Sequence, residues 1–392
     1  MRVLMTTKAG AGHFGPLIPF ARAFQRAAAE VLIAAPREAA PMVRAEGLPL
    51  WAVDDPPPEE RDAIFAEVRG KNTDGLIAKR IVGDVFARID ARAALPGILA
   101  ACRAWSPDVV ISETTEFAGP LAAEIAGLPS ACVGLSQQGK EEYFLPLIGE
   151  AIDELRGHAG LAPDPSRSHL LGRPYFTLFP AALEDPATPT RIASHRFREA
   201  RPQVRRHSLY GGPADHRPLV YLTFGSVVPT SDFFPRIYRD AIDELAPLPV
   251  RLLVTVGRDR DPAELGPQPP NVRVERWVPQ ADLMPHVAAM VCHGGSGTVT
   301  MGLAGGVPMA VLPLFADQPW NADRVEAVGA GISLGRDPDA AVAGVREAVV
   351  RLTGDPAYRS RAQHIAAEMR ALPPVDAAVG VVRGLLVDRL AA

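Results

Sequence analysis

Several things are scarce in this chain of 392 residues, and each scarcity excludes something. Cysteine occurs three times, at 102, 132 and 292. That spacing fits no zinc pattern, and an odd count argues against a disulfide framework. All three read as small buried apolar residues. Lysine stands only at positions 8, 71, 79 and 140. Neither sign of charge dominates, since the formal net charge is −4. A general nucleic-acid binder, which carries a basic face, is therefore not expected. No run of some 18 uncharged apolar residues exists, so no membrane span is expected. An apolar stretch begins at Arg2, which leaves no room for a signal peptide. A cytoplasmic protein is the expectation, and a homodimer is left open. What remains is ordinary globular composition, 47% hydrophobic and 22% charged, with no sign of disorder or of a fibre. Domains run to roughly 100–200 residues, so the length suggests two.

The order of elements predicts two α/β halves. The apolar run Arg2–Thr6 precedes a glycine-rich loop, Lys8–Gly15. Pro16 then opens an apolar-periodic segment through Ala29, a place that suits proline. Glu30–Ala34 reads as a second strand, which completes a β–loop–α–β unit and implies a parallel sheet. Asp108–Ser112 and Ser130–Gly134 continue the strands around a helix at Phe117–Ala126. Residues 54–106 and 137–175 are less regular, as insertions that shape a ligand cleft often are.

Residues 201–217 carry Pro, paired Gly and charge without apolar period. Domain boundaries follow at 1–205, a linker at 206–217 and a second domain at 218–372. The amphipathic segment 373–392 is expected to pack back on the first domain. In the second domain, strands are expected at Leu219–Phe224, Val250–Val256, Val272–Glu275, Ala289–Cys292 and Val307–Leu312. In open parallel sheets, ligands sit beyond the carboxyl ends of the strands.

Four pieces of the second half fall on such ends. They are Phe224-Gly225-Ser226, Trp277-Val278-Pro279-Gln280, His293-Gly294-Gly295-Ser296-Gly297-Thr298, and Asp317-Gln318 with Asn321 behind it. Consecutive backbone N–H groups at a glycine-rich helix start suit a phosphate. Ser296, Thr298 and His293 add side-chain donors. Trp277 offers a flat face for a base, and the Val278 backbone could pair with the base edge. Asp317 and Gln318 suit sugar hydroxyls. Each piece alone has a plainer reading. A glycine-rich turn also serves close packing, a lone Trp also serves a core, and Asp317-Gln318 also caps a helix.

Together the pieces resemble the nucleotide-sugar signature of the large glycosyltransferase family that includes plant flavonoid glucosyltransferases and bacterial antibiotic glycosyltransferases. It appears here as WVPQ, HGGSGTV, GVP and LPLFADQPWNA, strongest over 219–335. The resemblance implies the GT-B arrangement, an α/β fold of two facing Rossmann-like domains with an interdomain cleft. It also implies an inverting transfer with the donor held by the second domain. Trp277 would then stack the base. His293, Gly295 and Thr298 would hold the diphosphate beside Ser226, within a donor set that takes in Gly12, Val278, Gln280, Gly294, Ser296 and Gly297. Asp317 and Gln318 would hold the sugar. The loop Gly10–Pro16 resembles the family's GxGH-x-x-P loop, whose histidine deprotonates the acceptor, which here is His13. Imidazole suits the role because its pKa lies near neutral pH. A carboxylate behind it would fix the tautomer. Many relatives have Asp there, while this sequence offers Glu113 and Glu116; Glu113, nearer the strand end, is preferred.

No metal and no cofactor is expected. The leaving charge would be met by the helix start after His293. The antibiotic branch implies a dTDP-deoxysugar donor, with a UDP-sugar second, and a small aglycone such as a polyketide as acceptor. Phe65, Phe86, Tyr143 and Phe144 are expected to shape the acceptor pocket. Rival readings remain. Gly10-x-Gly12-x-x-Gly15 matches the dinucleotide fingerprint, but the second strand ends Ala34-Ala35-Pro36-Arg37 without the carboxylate that an NAD-type oxidoreductase needs. Asp259-Arg260-Asp261 matches a metal motif of another transferase fold, yet reads better as a solvated turn. A lipid-linked cell-wall GlcNAc transferase, a nucleotide-sugar epimerase and a non-catalytic transferase partner complete the alternatives.

Overall fold

The computed structural model describes residues 1–68, 74–188, 190–199 and 215–391. Of the expected linker, residues 206–214 lie outside the described residues. Two compact units are present.

The first unit is built on seven parallel strands. These are β1 (Arg2–Thr6), β2 (Glu30–Pro36), β3 (Leu50–Val53), β4 (Val109–Glu113), β5 (Ser130–Val133), β6 (Tyr175–Thr177) and β7 (Ser194–Arg196). Their order is β3-β2-β1-β4-β5-β6-β7. The second unit carries β8 (Leu219–Thr223), β9 (Arg251–Thr255), β10 (Val272–Glu275), β11 (Val287–Cys292), β12 (Met309–Val311) and β13 (Gly331–Ser333). Here the order is β10-β9-β8-β11-β12-β13, again parallel. In each sheet the order reverses beside the first strand, which is the doubly wound pattern with its ligand crevice at the switch point. Both units thus have the expected Rossmann-like form.

Packing follows from the two-residue period of a strand. Val3 and Met5 of β1 enter one core with Phe20, Phe24 and Phe176, while Leu4 enters the core on the opposite face with Ile98 and Leu121. In β8, Val220 and Leu222 point into one core, and Leu219 and Tyr221 into the other. Strands covered on both faces read as unbroken apolar runs, which is why the sequence marks them.

The units interleave along the chain. Residues Phe179–Glu184 belong with the second unit, where Phe179 and Leu183 join its core. Residues from Pro373 onward belong with the first. Arg198 and Val375 exchange backbone bonds with each other's stretch, Arg198 N to Pro373 O at 2.9 Å and Val375 N to Arg198 O at 3.0 Å. Val375, Val379 and Val382 are buried against Phe20 and Phe24, each contributing roughly 1.5–3 kcal/mol. Aspartates cap the two long helices before this return. Asp337 accepts from Ala340 N ahead of Pro338–Gly354, and Asp355 accepts from Ala357 N ahead of Pro356–Ala371. Each cap is followed by proline at the first helical position, where its missing N–H costs nothing. Among the described residues no helix is long and apolar enough to cross a membrane.

Candidate active site

In the first unit, β1 ends at Thr6 and the loop to Gly10 feeds a one-turn helix, Ala11–Phe14. Gly10 has φ +112°, a backbone state that favours glycine. This turn lifts His13 over the end of β4. His13 Nδ1 lies 3.1 Å from Glu113 Oε1. Thr115 braces the pair. Its backbone N–H donates to Glu113 Oε2 at 2.5 Å, and its hydroxyl lies 3.1 Å from His13 Nδ1 and 2.9–3.0 Å from the carboxylate oxygens. The Glu113 side chain is fully buried, while that of His13 is 23% exposed. Burial alone would push the Glu113 carboxyl up. The adjoining His13, its hydrogen bond, the Thr115 N–H and the Lys8 charge more than offset this and hold it below the usual range. A carboxylate on Nδ1 fixes the N–H there and leaves Nε2 as the basic nitrogen.

Glu116 has a different job. Its carboxylate accepts from Ala118 N at 2.9 Å, Gly119 N at 2.8 Å and the Thr6 hydroxyl. It caps the helix Ala118–Ile125, and burial pushes its pKa up. The reserve partner for His13 is thus engaged elsewhere. Of the four aromatic acceptor candidates, Phe86 meets His13, with ring centres 5.6 Å apart and planes at 88°. Phe65 and Tyr143 are exposed. Phe144 packs on the core of the first unit and edge-on to Tyr143. Gly12 is exposed, with open space where a Cβ would stand.

Three residues of this site carried no sequence signal. Thr115 closes the dyad. Lys8 is buried, pairs with Asp90, and holds Nζ 3.7 Å over the Phe86 ring. Asp90 ends a 13-residue π-helical stretch, Ala78–Asp90, a form that often marks functional positions. Lys8 lies 82 residues from Asp90 in the chain, too far for any local pattern to join them.

In the second unit, β11 ends at Cys292 and the helix Ser296–Ala304 begins after Gly295. No side chain caps that helix, so its first backbone N–H groups face outward as donors at its positive end. His293 is buried, and its Nδ1 has no hydrogen-bond partner. Burial pushes the imidazole down to about 4, so it is neutral at pH 7 and carries one N–H. Two glycines make room for it. A Cβ on Gly295 would come within 2.5 Å of Nε2, and one on Gly225 within 2.7 Å of Cε1. The FGS and HGGSG pieces therefore meet around this ring, with Ser226 exposed in the turn after Gly225. Gly294, at φ +88°, lies under Val311 and Gln318. Gly297 is exposed and unobstructed, and Thr298 is half-buried.

Asn321 ties the pieces together. Its Nδ2 donates to Gly294 O at 2.9 Å, Ser296 Oγ at 3.1 Å and Asp317 Oδ2 at 2.9 Å. Ser296 also donates to Asp317 Oδ2 at 2.6 Å. Asp317 thus has one oxygen engaged within the protein. Gln318 accepts from Leu314 N and Phe315 N through Oε1, so its amide oxygen is spent on the loop. Ala316 just before them has φ +57°, a strained state for a residue with a Cβ, of a kind that collects at ligand sites. Trp277 is 48% exposed, and the Arg258 guanidinium lies 3.9 Å from its ring centre. Val278 is buried. Gln280 gives its amide to Tyr221 at 2.8 Å, which makes it a brace for the loop.

The other motifs resolve simply. Asp261 caps Pro262–Leu265 in a capping box with Glu264, and Arg260 donates to Pro229 O, so the Asp259–Asp261 run builds a turn. All three cysteines are buried and free, as expected. Among the described residues no group of three or more His, Cys, Asp or Glu is arranged to hold a metal ion.

Known proteins with this pattern point one way. Residues 22–174 and 239–383 match the N-terminal and C-terminal domains described as erythromycin biosynthesis protein CIII-like. The chain is 35% identical to the L-demethylnoviosyl transferase of Streptomyces niveus, over 94% of each chain. It is 30% identical to the elloramycin glycosyltransferase ElmGT of Streptomyces olivaceus, over 96% of each. The solved structure of the glycosyltransferase VinC in complex with dTDP is 26% identical and superposes with a TM-score of 0.78, covering 99% of both chains. That of SnogD from Streptomyces nogalater is 28% identical with a TM-score of 0.76, covering 98% of this chain and 99% of that one.

Proposed function

The chain belongs to the EryCIII-like family of bacterial antibiotic glycosyltransferases with the GT-B fold, and from that premise we propose an inverting transfer of a deoxysugar from dTDP to a hydroxyl of a small aglycone such as a polyketide. The observation that carries the reading is the contrast between two histidines. One has a carboxylate on Nδ1 and an open Nε2; the other is buried, neutral and unpartnered at a bare helix start.

The roles follow from that chemistry. His13 Nε2 takes the proton of the acceptor hydroxyl as its oxygen attacks the anomeric carbon. Glu113 holds the resulting imidazolium, and Thr115 holds Glu113. The bond from the anomeric carbon to the phosphate oxygen breaks, and the diphosphate leaves with the electron pair. Attack by the acceptor oxygen from the face opposite the leaving group inverts the anomeric centre. The N–H groups that open Ser296–Ala304 meet the new charge, helped by His293, Ser296 and Thr298. Charge met in this way needs no bound metal and no cofactor, so turnover should persist in a strong chelator. Trp277 supplies the base platform, and Asp317 and the Gln318 amide supply sugar contacts. The dTDP in the similar VinC structure supports that nucleotide over UDP. The absence of an acidic residue at the end of β2, which closes Ala34-Ala35-Pro36, weighs against the NAD-type reading.

A nucleotide panel tests the donor half. Thermal unfolding with millimolar dTDP, UDP, GDP, NAD or NADP should show the largest rise with dTDP, since stabilisation grows with ligand concentration over Kd. A rise with NAD alone would overturn the transferase reading.

A further inference from the structure

The environment of His13 holds a charge pair that the proposed mechanism does not use. Lys8 sits on the loop that leaves β1, with its ammonium paired to Asp90 and seated 3.7 Å over the face of Phe86. His13 stands at right angles to the same ring, 5.6 Å away between centres. The ammonium is therefore no more than about 9 Å from the imidazole, with the aromatic ring in contact with both. Lys8 and Asp90 are both largely buried, at 11% and 15% side-chain exposure. A lysine at this depth is unusual, because removing an ammonium from water is costly unless it is paired.

We propose that the Lys8–Asp90 pair sets the basicity of His13 across Phe86, so that Lys8 and Asp90 are positioning residues for the base; this rests on His13 being the base. Lys8 carries positive charge toward the imidazole and disfavours its protonation. Glu113 acts in the opposite sense from the other side. Other charged groups around Lys8 come from several elements: Arg61 on the helix Pro58–Val68, Glu38 on the turn after β2, Glu113 at the end of β4 and Glu116 just beyond it. Arg61 Nε lies 3.5 Å from Asp90 Oδ1 and spreads the anion's charge. Burial pushes the Lys8 ammonium down to about 7.

The test is the pH profile of kcat/KM, whose acid limb reports the base of the free enzyme. Lys8→Met should move that limb to higher pH by about 0.5–1 unit, the size of one unit charge at this separation in a partly buried setting. Lys8→Arg keeps the charge and should restore the wild-type limb. The double variant Lys8→Met/Asp90→Asn removes both charges and should return the limb most of the way. If Lys8→Met does not fold, Lys8→Gln gives the same readout. A limb that stays within about 0.2 unit in the Lys8 variants, or a double variant that fails to reverse the shift, overturns the proposal. His13→Ala serves as the control. Were it fully active, the assignment of the base would fail instead, and the Lys8 result would have no bearing on it.

Discussion

Two glycine-rich turns, each joining a strand to a helix and each bearing a histidine, have opposite environments in this protein. The turn after β1 puts His13 against a buried carboxylate, with part of the ring open to solvent. The turn after β11 buries His293 between two glycines and gives its Nδ1 nothing to bond. A short motif of Gly and His therefore does not define a role. What stands behind the ring does. A carboxylate on one nitrogen raises the basicity of the other, whereas burial without a partner keeps the ring neutral and makes it a donor. The first environment suits taking a proton and the second suits meeting an anion, which is the division of work proposed above.

The sharpest break of that comparison is to remove each histidine in turn. His13→Ala should lower kcat for transfer to an ordinary hydroxyl by roughly 10³-fold, within the range for general-base groups, and leave dTDP affinity within about twofold. His293→Ala should do the reverse in character, weakening dTDP binding and lowering kcat less. Calorimetric titration with dTDP and initial rates on both variants decide the matter. Equal loss of donor binding in the two variants would mean that the turns do not divide the work.

The parts legible in the sequence are those where physics acts on neighbours in the chain. Strands β1, β2, β4, β8, β9 and β11 lie within a few residues of their expected bounds because burial on both faces leaves apolar runs. Strands β3, β6, β7 and β13 went unmarked. They have three or four residues each. The His293 turn is legible because its Gly, Ser and Thr are contiguous in the chain. The supports are not. Asn321 binds Gly294 across 27 residues, Gln280 binds Tyr221 across 59, and Lys8 meets Asp90 across 82. Such pairs depend on topology, which no local spacing encodes. The excursion of Phe179–Glu184 into the second unit is invisible for the same reason.

The pH dependence of stability should separate the two histidines with a smaller effect. Folding keeps His293 neutral, with a pKa of about 4 against 6.5 when unfolded. A base whose folded pKa is depressed stabilises the fold fully above the unfolded value and loses that contribution as pH falls toward the folded one. The whole contribution is about 3 kcal/mol, of which about 2 kcal/mol is gone by pH 5. Glu113, an acid held below its usual range, also loses stabilisation as pH falls, so the wild type alone cannot isolate the histidine. The difference between wild type and His293→Asn can. Urea unfolding at pH 7 and pH 5 should show the wild-type advantage shrinking by about 2 kcal/mol. A constant advantage would mean that His293 takes up a proton as readily in the folded protein as in the unfolded chain, and that its turn does not hold it neutral.

The smallest expected effect concerns Trp277, the proposed platform for the base. Arg258 stacks on the indole at 3.9 Å, and the ring is half-exposed. A cation over an exposed ring is worth about 0.5–1 kcal/mol, enough to hold the indole in one orientation but not to bind a nucleotide by itself. Arg258→Ala should therefore weaken dTDP binding by roughly two- to fivefold, with kcat unchanged, while Trp277→Ala should weaken it further. Fluorescence titration of the Arg258 variant reads this directly. Tighter binding would mean that Arg258 occupies the face the base requires.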